Sequence, residues 1–323
     1  MMLSLAALVA VAAPPAVRPL ATYSIVARDA ASGELGVAVQ SHWFSVGSVV
    51  SWAEAGVGAV ATQSFAEPAY GALGLELMRA GKSAGDALKA LLAVDEQAAT
   101  RQVAMVDSQG RVAAHTGASC IQAAGHQLGE GYSVQANLLA SERVWPAMAR
   151  GFEAASGPLA ERLLAALEAA EKAGGDIRGR QSAALVVVKP ASSGRPWADR
   201  LVDLRVDDSR EPLVELRRLL DRHRAYEHMN RGDEALAKGD SPGALAEYAA
   251  AARLVDDEPE IRYWQAVTLA SAGELDKALA IFREVFALEP RWIEVTRRLV
   301  PAGLMEAELA ERVIERAKPA GSR

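Results

Sequence analysis

Thr22-Tyr-Ser-Ile-Val-Ala-Arg28 and Glu34-Leu-Gly-Val-Ala-Val-Gln40 are two short β-branched runs, parted by Asp29-Ala-Ala-Ser-Gly33. Asp, Ser and Gly are turn formers, so the stretch reads as a β-hairpin. Gly58 to Gln63 supplies a further strand. Pro68 suits the opening position of a helix, and Ser83 with Asp86 three residues on resembles a capping box for a second. Strands are expected again over 102–106 and 111–115 around the Asp107-Ser-Gln-Gly110 turn, and near 132–136. Helices follow near 142–155 and 159–173, then strands over 183–188 and 201–206. Strand blocks thus alternate with helix pairs. That grouping points to helices layered outside antiparallel sheets, because parallel βαβ units would place single helices between strands.

After Pro212 the strand signals stop. An offset of 34 residues aligns Gly239 with Gly273, Ala244 with Ala278 and Tyr248 with Phe282. This pattern resembles the tetratricopeptide repeat, with two units near 225–258 and 259–292 and a capping helix or partial third over 293–318. Such hairpins need neighbours to complete their core, and they serve either as a groove for a protein partner or as a stabilising, dimerising appendage.

Upstream of the hairpin, Met1 to Ala13 form an apolar run followed by Pro14, Pro15 and Pro19. The run falls short of the roughly 20 apolar residues that span a bilayer, so it reads as a secretory signal and places the protein in the periplasm or outside the cell. Cleavage fits either Ala10-Val11-Ala12 or a cut after Ala21, and the second makes Thr22 the new N-terminus.

The 323 residues, 50% of them hydrophobic, suffice for two folded domains at about 150 residues each. The organisation expected is a leader over 1–21, a mixed domain over 22–210, a connecting helix over 211–224 and helical repeats over 225–323. A net charge of −6 gives no basic field for nucleic acid or anionic lipid. Cys120 is the single cysteine, and the five histidines are scattered, so neither a disulfide nor a thiolate zinc site is implied.

Several motifs fail on context. Gly56-Val-Gly58 is followed by a strand where a dinucleotide fingerprint opens a helix. Gly81-Lys-Ser83 has Glu76 where a phosphate loop needs glycine. Gly117-Ala-Ser-Cys-Ile121 lacks the second glycine of a nucleophile elbow. Cys120 with His126 could form a thiol and base pair, but a structural cysteine fits better.

What remains is Thr22, at the head of the first strand and behind a processing site. A free N-terminal threonine supplies a hydroxyl nucleophile, and its α-amine, with a reference pKa of about 7.7 to 8.0, acts as base. The blocks 22–29, 33–41, 55–63, Pro68-Ala-Tyr-Gly71 and 174–183 resemble a bacterial family known as domain of unknown function 1028, grouped with the N-terminal-nucleophile hydrolases. The resemblance covers about 22–210. It implies an α+β fold, a four-layer αββα sandwich, here followed by the small all-α repeat domain.

There is a more distant similarity to proteasome-type peptidases. Their acidic residue after the second strand is replaced by Gln40-Ser-His42, and the first lysine is Lys82, in a helical link. That charge relay is not carried over, which leaves Arg28, His42 or the α-amine to support Thr22. The resemblance implies an amidohydrolase acting on a small amide, N-acyl or peptide bond without metal or cofactor. Asn137 ends a strand where its amide could donate to an oxyanion. Thr62 and Gln63 end the third strand and are candidates to line the pocket. Asp176 and Arg178, with Arg180, lie in a Gly-rich loop suited to a substrate carboxylate or to surface ion pairs. The alternative is a catalytically silent exported binding protein, and association of copies stays open.

Overall fold

A computed structural model describes residue 20, residues 22–255 and residues 258–319. The first 19 residues and Ala21, which carry the expected signal and both cleavage sites, lie outside the described residues. The chain divides into two compact units, 1–216 and 217–323.

The first unit contains two antiparallel sheets. One has six strands in the order β10-β9-β2-β1-β8-β7 and the other four in the order β3-β4-β5-β6. In chain order these are β1 Thr22–Arg28, β2 Leu35–Ser41, β3 Ser51–Glu54, β4 Gly58–Ser64, β5 Arg101–Asp107, β6 Val112–Thr116, β7 Gly125–Gly129, β8 Tyr132–Asn137, β9 Ser182–Val188 and β10 Arg200–Val206. The hairpin read from the sequence is present, with Thr22 opposite Ser41 and Arg28 opposite Leu35. Its turn closes at Gly33, whose φ of 76° favours a residue without Cβ.

The helices are α1 Gly47–Val50, α2 Ala69–Arg79, α3 Ala84–Leu92, α4 Val144–Ala154 and α5 Leu159–Lys172. α2 and α3 cover the outer face of the four-stranded sheet, and α4 and α5 that of the six-stranded sheet. The inner faces of the sheets meet, which gives helix, sheet, sheet and helix layers. Ser83 caps α3 as read, its hydroxyl oxygen accepting from the Asp86 amide at 3.0 Å. β3, β7 and the short α1 carry no sequence signal. β7 is an edge strand of partly exposed residues, and β3 is four residues long, so neither shows the apolar run that marks a buried strand.

Burial follows from this layering. β1, β2, β4, β5, β8 and β9 are buried almost throughout, because each is covered by helices on one face and by the other sheet on the opposite one. Valines 26, 37, 39 and 186 of the larger sheet pack with alanines 59, 61 and 104 of the smaller. α5 approaches β2 at Gly36, where a Cβ would stand 2.7 Å from Leu163 Cδ1.

α6 Pro212–Ala237 begins in the first unit. The second unit continues with α7 Ser241–Leu254, α8 Pro259–Ser271, α9 Leu275–Leu288, α10 Arg291–Leu299 and α11 Ala307–Ala317. The positions aligned by the 34-residue offset are structurally equivalent. Gly239 and Gly273 both have positive φ after a helix, Ala244 and Ala278 are buried at helix starts, and Tyr248 and Phe282 are buried one turn on.

Candidate active site

The inner face of the sheet sandwich changes character along the strands. Near the middle it is Val and Ala; at the Thr22 end it becomes polar, although it stays dry. Thr22, Ser24, Gln63, Gln102, Gln135 and Asn137 all have zero solvent exposure. Buried polar groups require partners, and here they find them in one another.

Thr22 is the first residue of β1, between Ser41 on β2 and Asn137 on β8 in register. Its hydroxyl has one proton to donate, toward the Leu20 carbonyl at 3.1 Å or the Ser41 hydroxyl at 3.2 Å. From the facing sheet, the Gln63 amide donates to the Thr22 carbonyl at 3.2 Å and to Gln102 Oε1 at 2.7 Å. The same Gln102 oxygen accepts from Asn137 Nδ2 at 3.0 Å. Gln102 Nε2 in turn donates to Thr116 Oγ1 at 2.9 Å and to the Ala136 carbonyl at 2.8 Å. Ser24 completes the cage, donating to Gln63 Oε1 and accepting from Gln135 Nε2, both at 2.6 Å.

Leu20, two residues ahead of Thr22, bonds the other sheet. Leu20 N–H donates to the Ser64 carbonyl at 2.6 Å, and Ser64 N–H returns a bond to Leu20 O at 3.0 Å. Loops wall the same end: Leu138 N–H bonds Ile121 O, and Leu139 N–H bonds Ala123 O. Ser64, Ala123 and Leu138 hold positive φ of 68°, 56° and 53°, three of the four non-glycine residues with such backbone among the described residues. This clustering puts local backbone strain around Thr22.

Of the residues singled out from the sequence, Asn137, Gln63, His42, Asp176 and Arg178 lie at this end. Asn137 faces Thr22 across the ladder; Nδ2 keeps a second hydrogen after bonding Gln102, and its Oδ1 is buried without a partner. Asp176 acts as a clamp. Its carboxylate accepts the His42 N–H at 3.1 Å and is gripped by Arg178 through its backbone N–H, Nε and Nη2, at 2.9, 3.1 and 2.9 Å. The His42 ring is exposed, with Nδ1 3.3 Å from the Arg180 carbonyl. Arg180 pairs with Glu171 and Glu211.

Two residues fall elsewhere. Arg28 ends the strand that Thr22 begins, six residues or about 20 Å away at strand rise, too far to support the hydroxyl. Thr62 points to the helix side of β4, since neighbours along a strand alternate faces, and its hydroxyl bonds the Glu67 backbone ahead of α2. Cys120 and His126 do not pair: the thiol lies against the Arg101 carbonyl at 3.4 Å, while His126 Nδ1 meets Thr116 Oγ1 at 2.8 Å. Burial pushes the thiol pKa up, opposite to what a thiolate nucleophile needs. Tyr23, next to Thr22 but on the helix side, has its pKa raised well above the ordinary phenol value, by burial first and then by the Glu171 carboxylate it bonds at 2.6 Å.

Ser24, Ser41, Gln102 and Gln135 were missed in the sequence. For Ser24 and Gln135 the signal is there, polar residues at alternate positions inside otherwise apolar strands: Thr22 and Ser24 in β1 and Ser133, Gln135 and Asn137 in β8. Among the described residues, no group of His, Cys, Asp and Glu side chains is arranged to hold a metal ion.

No curated protein matches the sequence. The crystal structure of a protein from Silicibacter pomeroyi, described as DUF1028, is similar to this chain at 32% identity and a TM-score of 0.56, over 62% of this chain and 84% of that one. Residues 22–216 match the family of unknown function DUF1028, which begins at Thr22 and takes in both sheets and the four longer helices that cover them. By that match and by its fold, the chain belongs to the DUF1028 family.

Proposed function

We propose that the chain is an N-terminal-nucleophile amidohydrolase in which Thr22 cleaves a small amide, N-acyl or peptide bond. The observation that carries this reading is the position of Thr22 Oγ1, at a strand head inside a buried amide cage, with Asn137 directly across the ladder. The groups bonded to Thr22 are all neutral: a carbonyl, a hydroxyl and a carboxamide. None can act as a base near neutral pH, so the base in this reading is the α-amine of Thr22 itself. That amine exists only once the bond to Ala21 is cut, by a peptidase or by Thr22 attacking the Ala21 carbonyl.

In the released form, Thr22 Oγ attacks the substrate carbonyl carbon and its proton passes to the α-amine. The second Asn137 Nδ2 hydrogen donates to the oxyanion. The amine returns the proton to the leaving nitrogen, the C–N bond breaks, and an ester on Thr22 remains. Water, deprotonated by the same amine, hydrolyses the ester and releases the acid. The leader-like start of the chain supports export as the setting for this processing.

The test is intact mass and N-terminal sequencing of protein recovered from its host, joined to an amide-substrate screen. A chain beginning at Thr22, with turnover that Thr22→Ala abolishes while leaving the fold intact, is the expected result. Equal turnover in Thr22→Ala would sink the nucleophile assignment. A second reading, a silent binding protein that docks partners through its helical repeats, draws on the absence of any titratable side chain among the groups that bond Thr22. It predicts an intact Ala21 to Thr22 bond.

A further inference from the structure

We propose that Leu20, two residues ahead of Thr22, occupies the acyl-side subsite of the enzyme, so that the released site selects peptide-like amides with an apolar residue second from the cleaved bond. The proposal rests on the nucleophile reading above and names the substrate class of that site.

Leu20 is held as a bound peptide residue would be. Its N–H and C=O both bond Ser64, closing a single antiparallel bridge onto the end of β4. Adding a strand residue to a sheet end in this way gives affinity through the backbone and selectivity through the side chain. The Leu20 side chain is 6% exposed and joins the apolar cluster between the sheets, which includes Val39 and Val46 and is bordered by Trp43 and Ala66. Its carbonyl accepts from the Thr22 hydroxyl, which ties the bridge to the reacting atom. Ser64 turns both of its backbone groups toward Leu20 from a φ of 68°, a conformation that a serine adopts only when its surroundings impose it.

Chain connectivity then sets the register. A substrate that acylates Thr22 places its carbonyl on Oγ of the residue whose nitrogen carried Ala21. Its preceding residue is therefore led to the place of Leu20, against Ser64. An acidic residue there would lose its water with no cation among the groups named above, a cost that falls directly on binding.

The test uses the full chain with a site-specific protease sequence placed directly ahead of Thr22. The protein is folded whole, cut, and freed of its leader by gel filtration, and near-UV circular dichroism checks that the fold is retained. The probe is the peptide corresponding to residues 16–21, Ala-Val-Arg-Pro-Leu-Ala. It is used as the free acid for binding and as a coumarin amide for turnover. Two variants accompany it, Leu20→Asp and N-methylation of that leucine, which removes the donor to Ser64 O. The parent peptide should bind the cut protein, and each change should weaken binding about tenfold or more. Uncut wild-type chain, with Leu20 in place, should bind none of them.

Equal binding of the Leu and Asp peptides, no saturable binding, or binding to the uncut chain would each overturn the proposal. Leu-selective binding without turnover supports the subsite and removes the nucleophile reading. Turnover that ignores the Leu to Asp change supports the nucleophile and overturns the subsite.

Discussion

Gln102→Leu tests whether the polar seam between the sheets is a dry, mutually satisfied network. The side chain sits at zero exposure and joins both sheets. Its oxygen accepts from Gln63 and Asn137, and its nitrogen shares two hydrogens among Thr116 Oγ1 and the Ala136 and Gly125 carbonyls. Leucine has nearly the same volume and keeps the space filled, but it breaks all five contacts. Gln63 retains Thr22 O and Gln135 O as acceptors, and Thr116 retains His126, so their losses are partial. Asn137 Nδ2 loses the acceptor that Gln102 provides and stays buried. At about 0.5 to 1.5 kcal/mol per net bond, and more for an orphaned buried group, the sum is about 4 kcal/mol. Burial of the leucine offsets about 1 kcal/mol of this, leaving a loss of about 3 kcal/mol. With a urea slope of about 3 kcal/mol/M, the unfolding midpoint falls by about 1 M. Urea titration followed by near-UV circular dichroism measures it, with Gln122→Leu, on an exposed loop, as the control that stays within about 0.5 kcal/mol. A loss below about 1 kcal/mol for Gln102→Leu would refute the argument, since it would mean that water replaces the lost bonds.

Asp95 is held below the usual carboxylate range: burial alone would raise its pKa, but Arg101, the Gln97 N–H and the Tyr70 hydroxyl outweigh that. A depressed folded pKa contributes stability above about pH 4 that is lost as pH falls through the folded value, so Asp95→Asn should cost about 2 kcal/mol at pH 7 and flatten the acid-unfolding curve below about pH 4. A variant that unfolds along the wild-type acid curve counts against the pair. Gly36→Ala drives a methyl into Leu163, with the Val186 carbonyl only 3.1 Å away, and should lose about 1 to 3 kcal/mol in thermal unfolding; an unchanged melting temperature would show that α5 can shift freely. Cys120, with its pKa raised by burial, should react with iodoacetamide at pH 8 at less than about one tenth the rate of a free thiol. A rate like that of free cysteine would show an open, activated thiol.

The strands and helices that form the layers were legible because burial on two faces leaves long apolar runs, and because Ser83 and Gly33 are local signals with local causes. β7 and β3 were not, since an edge strand or a four-residue strand is stabilised by its neighbour and not by its own pattern. The same distinction governs the site. Thr22 and Asn137 could be picked out as strand ends, and Gln63 as a polar residue closing a strand. Arg28 and Thr62 looked equally eligible, because a sequence does not say which end of a hairpin faces the site or which side of a strand faces the other sheet.

By itself the sequence determined the longer buried strands and the helices that cover them, the alternation of strand blocks with helix pairs, the 34-residue equivalence in the C-terminal half, and the threonine at the head of the first strand. These follow from periodicity, turn chemistry and capping, which act over a few residues. Only the tertiary structure decided that Gln63, Gln102, Gln135 and Asn137, drawn from three strands in two sheets, close one dry amide network around Thr22. It alone placed Leu20 against Ser64. Those contacts join residues 35 to 72 positions apart, and their geometry is fixed by how two sheets stack, which no local pattern encodes.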